Sequence, residues 1–180
     1  MGKLYDAITQ ELEEWIAQQR MFFVATAPLA AEGHVNCSPK GMDSLRVLGP
    51  ASVAYQDLTG TGIETVAHVK ENGRIVIMFC AFEGPPRIVR LYGRARVVEC
   101  GAEEFQELSP KFPNRPGTRS YVRVELTRIA DSCGYGVPLY EFVGDRDALA
   151  NSAVKKGPEA MEAYRSEHNR HSIDGLRGLV

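Results

Sequence analysis

The sequence predicts a mainly β, α+β protein: an antiparallel barrel of six to seven strands, closed or nearly closed, with helices on its flanks. Three observations point there. Seven short runs rich in β-branched and aromatic residues, at 22–27, 34–40, 45–49, 52–57, 74–82, 87–98 and 120–129, are separated by turn residues. Only residues 63–72 offer a helix between central strands, whereas a parallel sheet needs a crossover helix between most of them. An amphipathic segment precedes the first run, and polar helical patterns follow the last.

Taken in order, residues 3–19 place Leu4, Ile8, Leu12, Trp15 and Ile16 on one face at helical spacing, so they predict an amphipathic helix laid on a sheet, with Trp15 a packing residue. The barrel should occupy 21–130. In the strand from Arg87, Val89, Leu91, Gly93, Ala95 and Val97 share one face, and Arg90, Tyr92, Arg94 and Arg96 the other. That guanidinium row is either a solvated sheet face or a clamp for an anionic ligand. Pro85-Pro86 ends the strand before it, since proline lacks the ladder donor. In the last strand Val122, Val124 and Leu126 face one way and Tyr121, Arg123 and Glu125 the other, as in a half-buried strand. A short helix is expected near 103–108 and a proline-rich loop at 111–119. A helical extension at about 140–170 should hold two helices, at 145–156 and 158–169, with Asp145 capping the first and Pro158 in the first turn of the second. The whole, 1–180, reads as one domain.

Composition excludes several function classes. With 44% hydrophobic and 24% charged residues, the chain is an ordinary globular one, and its formal net charge of −2 gives no cationic field for nucleic acid. The longest apolar stretch, around 75–82, is too short to cross a bilayer, and the acidic, amphipathic start is unlike a signal peptide, so a cytoplasmic protein without a membrane partner is expected. The four cysteines, at 37, 80, 100 and 133, include no C-x-x-C pair and are expected to be reduced, buried thiols. His168, His171 and Glu167 form too loose a pattern for a metal, and none is expected.

The stretch DLTGTGIETVAHVKENG, 57–73, sets glycines and threonines ahead of a short amphipathic helix. Ile63, Val66 and Val69 form its buried side, and Gly73 sits where a left-handed C-cap belongs. It matches neither the P-loop, since Gly62 is followed by Ile63, nor the dinucleotide fingerprint, which meets Thr65 where its last glycine belongs. Two uses stay open: a phosphate at the helix N-terminus, helped by the hydroxyls of Thr59, Thr61 and Thr65, or a threonine-capped tight turn with no ligand.

YQDLTGTGIETVAHVKENGRIVIMF followed by PPRIVRLYGRARVV resembles the FMN-binding split-barrel family related to pyridoxamine 5′-phosphate oxidase, and NCSPKG, 36–41, resembles that family's stretch along the flavin ring. The resemblance runs from about Met21 to Ile129. It implies a split barrel and a homodimer with FMN at the subunit interface, held by both chains. It also implies that Ser38, Pro39, Lys40 and Gly41 border the isoalloxazine, with Lys40 a candidate to stabilise its reduced anion. Asp57, Thr59, Gly60, Thr61, Gly62 and Thr65 would hold the ribityl-phosphate, and Arg87 and Arg90 would lie near phosphate or ring. Where the vitamin oxidase has an Arg-Lys pair in its phosphate loop, this chain has Glu64-Thr65, and its later stretch offers VPLYEF without a tryptophan. Synthesis of pyridoxal phosphate is therefore not expected.

The function this implies is an FMN-dependent oxidoreductase acting on a small molecule, with NAD(P)H or a reduced deazaflavin as donor. No nucleophile and base pair or G-x-S-x-G elbow competes with that expectation. Two other classes stay open: a non-catalytic flavin- or haem-binding storage or sensor protein on the same fold, and a ligand-free protein whose barrel only dimerises.

Overall fold

A computed structural model describes residues 2–179. The elements are β1 (Leu4–Tyr5), α1 (Gln10–Gln18), β2 (Phe22–Thr26), β3 (Asn36–Lys40), β4 (Leu45–Gly49), β5 (Ser52–Leu58), α2 (Glu64–Asn72), β6 (Arg74–Cys80), β7 (Ile88–Glu99), α3 (Glu103–Leu108), β8 (Thr118–Ser132) and α4 (Ala148–His168). The strands form one antiparallel eight-stranded sheet in the order β3-β2-β6-β7-β8-β5-β4, with β1 added beside β8. The sheet path begins at β3 and ends at β4, so the split in the barrel falls between two strands adjacent in sequence. The turn joining them carries Met42 and Asp43 at positive φ, 61° and 50°. Arg46 clamps it, donating to both carboxylate oxygens and the carbonyl of Asp43.

The seven sequence-predicted strands are all present, because alternation dictates which face is buried. In β7, Val89 and Leu91 are fully buried, while Arg94 and Arg96 point to solvent. The guanidinium row is a solvated face: Arg94 donates to Asn72 O, and Arg96 pairs with Glu104. The main core gathers Leu12 and Ile16 of α1 with Val24, Tyr55, Ile77, Phe79, Leu91, Val122 and Val124. A second cluster, Ala54, Val98, Leu108, Phe112 and Tyr121, lies on the outer side of the sheet. It corrects the half-buried reading of β8, since Tyr121 is covered by the rings of Phe105 and Phe112, 4.8 and 4.9 Å away.

Four expectations are corrected at the ends. The first helix begins at Gln10, not near residue 3: Thr9 caps it by accepting from Leu12 N, while Leu4 pairs with Ala130 and is exposed. Asp145 caps nothing; α4 starts after Asp147, and its two helical pieces join at Gly157, whose φ of 73° breaks the run just before Pro158. No threonine caps α2, whose N-cap is Ile63. Only Cys80 of the cysteines is buried, and Cys37, Cys100 and Cys133 are exposed. Gly73 is left-handed as expected, φ 69°, its N–H bonding to Val69 O at 2.9 Å. No helix among the described residues is long and apolar enough to cross a membrane.

Candidate functional site

Sequence-predicted site residues fall at two places, joined by Lys40. The first is the bend between β5 and α2. Asp57, the penultimate residue of β5, faces Ser120 and Arg119 of β8 through the strand register. It is 2% exposed and receives Arg119 Nε at 2.7 Å and the Ser120 hydroxyl at 3.1 Å, with Lys40 Nζ 3.7 Å away. Burial pushes its carboxyl pKa up, but Arg119, Lys40 and the hydrogen bonds more than offset that and hold it below the ordinary value. Thr59 donates its hydroxyl to Gly117 O at 2.8 Å, and Thr65 accepts from Asn36 Nδ2 at 2.8 Å. Gly60 O accepts from Asn169 Nδ2, and Asn169 Oδ1 accepts from Arg119. Thr61 and Gly62 are exposed.

The second place is a cleft of about 1060 Å³. Its floor includes Pro39, Lys40 and Gly41 at the end of β3, and its walls are Trp15 of α1, Phe82 and Arg87 of the β6–β7 turn, and Tyr140 and Phe142 of the segment after β8. That segment is stitched down: Tyr140 N donates to Phe82 O at 2.9 Å, Phe142 N donates to Glu83 at 3.1 Å, and the Phe82 and Tyr140 rings lie 5.4 Å apart. Two guanidiniums lie on aromatic faces, Arg87 4.9 Å from Trp15 and Arg20 5.2 Å from Phe142. Arg87 also donates to Tyr5 Oη at 2.6 Å and lies 3.3 Å from Asp131, to which the Tyr5 hydroxyl donates at 2.7 Å. Burial raises the Asp131 carboxyl pKa, but the bonds from Tyr5 and Lys3 and the charge of Arg87 bring it below its ordinary value. The Tyr5 phenol is pushed up by burial and by Asp131. Arg90 donates to the Ser132 hydroxyl at 3.0 Å and does not line the cleft.

Ser38 stands between Asn36 and Lys40 on β3, and its Oγ is buried without a partner among the described residues, as are Tyr55 Oη and His68 Nε2. His68 Nδ1 is bonded to the Thr26 hydroxyl, and burial pushes the ring's pKa down.

The fit to a flavin nucleotide differs between the two places. The cleft suits a flat conjugated ring: its volume matches ligand-sized pockets, its walls are aromatic, and Arg20 and Arg87 set cations over two of those rings. The bend does not suit a phosphoryl group. The Thr59 and Thr65 hydroxyls and Asp57 are engaged within the chain, and Glu64 adds a carboxylate where a phosphate needs positive charge.

Reasoning from sequence missed Arg119, Asn169, Asp131 and Tyr5, and took Trp15 for a packing residue only. Arg119 reaches Asp57 by strand register across 62 positions, and Asn169 reaches Gly60 across 109, so no local pattern marks either. The one local signal available for the outer wall of the cleft is the spacing of Tyr135, Tyr140 and Phe142, which that reading did not use.

Comparison with known proteins agrees with this architecture. A protein of Aspergillus flavus, described as the pyridoxamine 5′-phosphate oxidase family protein ustO, is 33% identical over 99% of this chain and 78% of its own length. The structure of Group A Streptococcus HupZ superposes with a TM-score of 0.52 at 26% identity, covering 68% of this chain and 91% of HupZ. A Lactobacillus delbrueckii protein, described provisionally as a pyridoxamine 5′-phosphate oxidase, shares the fold with a TM-score of 0.53 at 18% identity, covering 71% of this chain and 98% of its own. The pyridoxamine 5′-phosphate oxidase family profile matches residues 8–133, from just before α1 to the end of β8, and with this split-barrel topology the chain belongs to that family.

Proposed function

We propose that the protein is a flavin-dependent oxidoreductase acting on a small molecule, with the flavin ring seated in the cleft between Trp15, Lys40, Arg87 and Phe142. The observation that carries the proposal is convergence: Pro39, Lys40 and Gly41, singled out for the ring, and Arg87, singled out for phosphate or ring, line one aromatic-walled cleft. A bound flavin would supply the redox chemistry. The chain's part is to hold and shield the ring. Tyr5 and Asp131 fix Arg87 against Trp15, and the 133–144 segment covers the outer side. FMN, a homodimer sharing the site and an NAD(P)H or reduced deazaflavin donor all belong to this proposal, as inferences from the family.

Trp15 is the single tryptophan and lines the cleft, so it reports directly on occupancy. Freshly purified protein should show flavin absorption or, if colourless, lose Trp15 fluorescence on titration with flavin; bound flavin should bleach with a reduced nicotinamide. Protein that takes up no flavin by either measure would refute the proposal.

A second reading, a non-catalytic holder of flavin or haem, is favoured by the state of the acids in the cleft. Of the four acids that line the cleft, Asp131 is held by Tyr5, Lys3 and Arg87, and Glu83 accepts from Phe142 N, so these two are engaged in structural hydrogen bonds, while Glu141 and Asp145 lie on the segment after β8. Coloured protein that no donor reduces would support that reading over the first.

A further inference from the structure

We infer that the bend between β5 and α2 is held by residues 169–179 and screened by the Glu64 carboxylate, so that the cleft takes a planar aromatic ligand without preference for a phosphorylated tail. This rests on the reading that the cleft seats a flavin ring, and it fixes which form of that ligand the site selects.

Residues 169–179 form a hook. It closes on itself through Leu179 N to Asn169 O, Gly178 N to Arg170 O and Ser172 N to Leu176 O, all within 2.7–2.9 Å. It then docks on the bend at several points. Asn169, fully buried, bridges Gly60 O and Arg119. Leu179 packs on Ile63 and Val66, and Gly178 O accepts Lys70 Nζ at 2.7 Å. A Cβ on Gly178 would come within 2.6 Å of Ile63 Cγ1, so the fit leaves no space between hook and helix. Asp174 receives His34 N at 2.8 Å and lies 2.6 Å from His34 Nδ1.

A helix start offers free N–H groups to an anion, and no side chain caps those of α2, but Glu64, its first residue, sets a carboxylate in the space beside Gly62. Glu64 Oε2 lies 2.5 Å from where a Cβ on Gly62 would stand, and Oε1 accepts Ile173 N at 3.3 Å. The side chains at the bend carry the carboxylates of Asp57, Glu64 and Asp174 against the cations of Lys40 and Arg119, with Lys70 matched by Glu99. Among these five groups, with His34 neutral, one negative charge is in excess; Arg170 and Arg177 of the hook are exposed and bond to none of them. A phosphate dianion beside Gly62 would meet the Glu64 carboxylate and would have to break its bond to Ile173 N.

The test titrates wild-type protein with FMN and with riboflavin, reading Trp15 fluorescence, and separately follows the backbone amides of residues 60–66 by NMR as inorganic phosphate is added. The expected result is affinities for FMN and riboflavin within about threefold, and amides that do not respond to phosphate. Removing two of the carboxylates, in Glu64→Gln with Asp174→Asn, should shift the ratio toward FMN by about two- to fivefold per charge, the usual worth of a charge at a helix N-terminus. FMN binding more than about tenfold tighter than riboflavin in wild type, or amides that shift on phosphate addition, would overturn the inference. If neither flavin quenches Trp15, the flavin reading falls, and the phosphate titration still decides whether the bend is screened.

Discussion

Removing the guanidinium of Arg119 tests the buried pair at the bend most directly. Asp57 and Arg119 are 2% and 7% exposed, and Arg119→Met leaves the carboxylate in place without its strongest partner. Breaking a buried ion pair from one side costs about 3–5 kcal/mol. The Ser120 hydroxyl at 3.1 Å and Lys40 at 3.7 Å remain, which places the expected loss near the lower end, about 3 kcal/mol. For a chain of this size that is a fall in Tm of roughly 6–12 °C. The sign with pH is distinctive. In wild type the Asp57 pKa is depressed, so its contribution is complete above the unfolded value of 3.8 and is lost as pH falls through the lower folded value. In Arg119→Met the burial effect is no longer offset, the folded pKa rises above the unfolded one, and protonation relieves the stranded charge. The deficit relative to wild type should therefore shrink as pH falls from 7 toward 4. Urea unfolding followed by circular dichroism at several pH values measures this, and Asp57→Asn with Arg119→Met should recover much of the loss. A deficit below about 1 kcal/mol at pH 7, or one that does not change with pH, would refute the reasoning.

Two glycines give further checks. Gly73→Ala forces a Cβ onto a left-handed residue and to 3.1 Å from Ala95 O, and should cost about 1–2 kcal/mol in urea unfolding, with the fold unchanged. Gly134→Ala would place a Cβ 2.6 Å from Arg87 N. Because backbone must move to admit it, the expected cost is about 1–3 kcal/mol, together with a shift in Trp15 emission as the wall beside Arg87 is displaced.

Legibility followed the range of the interactions. The strands were readable because a two-residue period is local: Val89 and Leu91 turn inward and Arg94 and Arg96 outward whatever they meet. Gly73 was readable because a helix end needs a left-handed residue. The two-residue β1 was not, since its only warrant is pairing with Ala130 and Ile129 far along the chain. The cysteines were misread for a related reason. On β3, Asn36, Ser38 and Lys40 turn toward the interior and α2, which leaves Cys37 on the outer side, and only the pairing of β3 with β2 reveals which parity faces in. At the candidate site the loop residues could be named, but not whether they were free. Thr59 and Thr65 look the same in sequence whether their hydroxyls meet a ligand or, as here, Gly117 O and Asn36.

That difference explains how one chain can keep a family's barrel while altering what its bend recognises. The strand register depends on the alternating core of β5 to β8, of which Glu64 and Asp174 are no part. Changing them leaves the fold intact and changes only the charge and access at the start of α2. The ring-side cleft is built from other parts: the end of α1, the β6–β7 turn and the 133–144 segment. Lys40 is the one named site residue that both lines the cleft and pairs at the bend, 3.7 Å from Asp57. Its charge is already partly answered from the bend side, so a ligand in the cleft meets a weakened cation there and an Arg87 held by Asp131. Recognition in the cleft must then lean on aromatic stacking and shape more than on charge, which is the selectivity expected of a site that distinguishes flavin rings and not their phosphates.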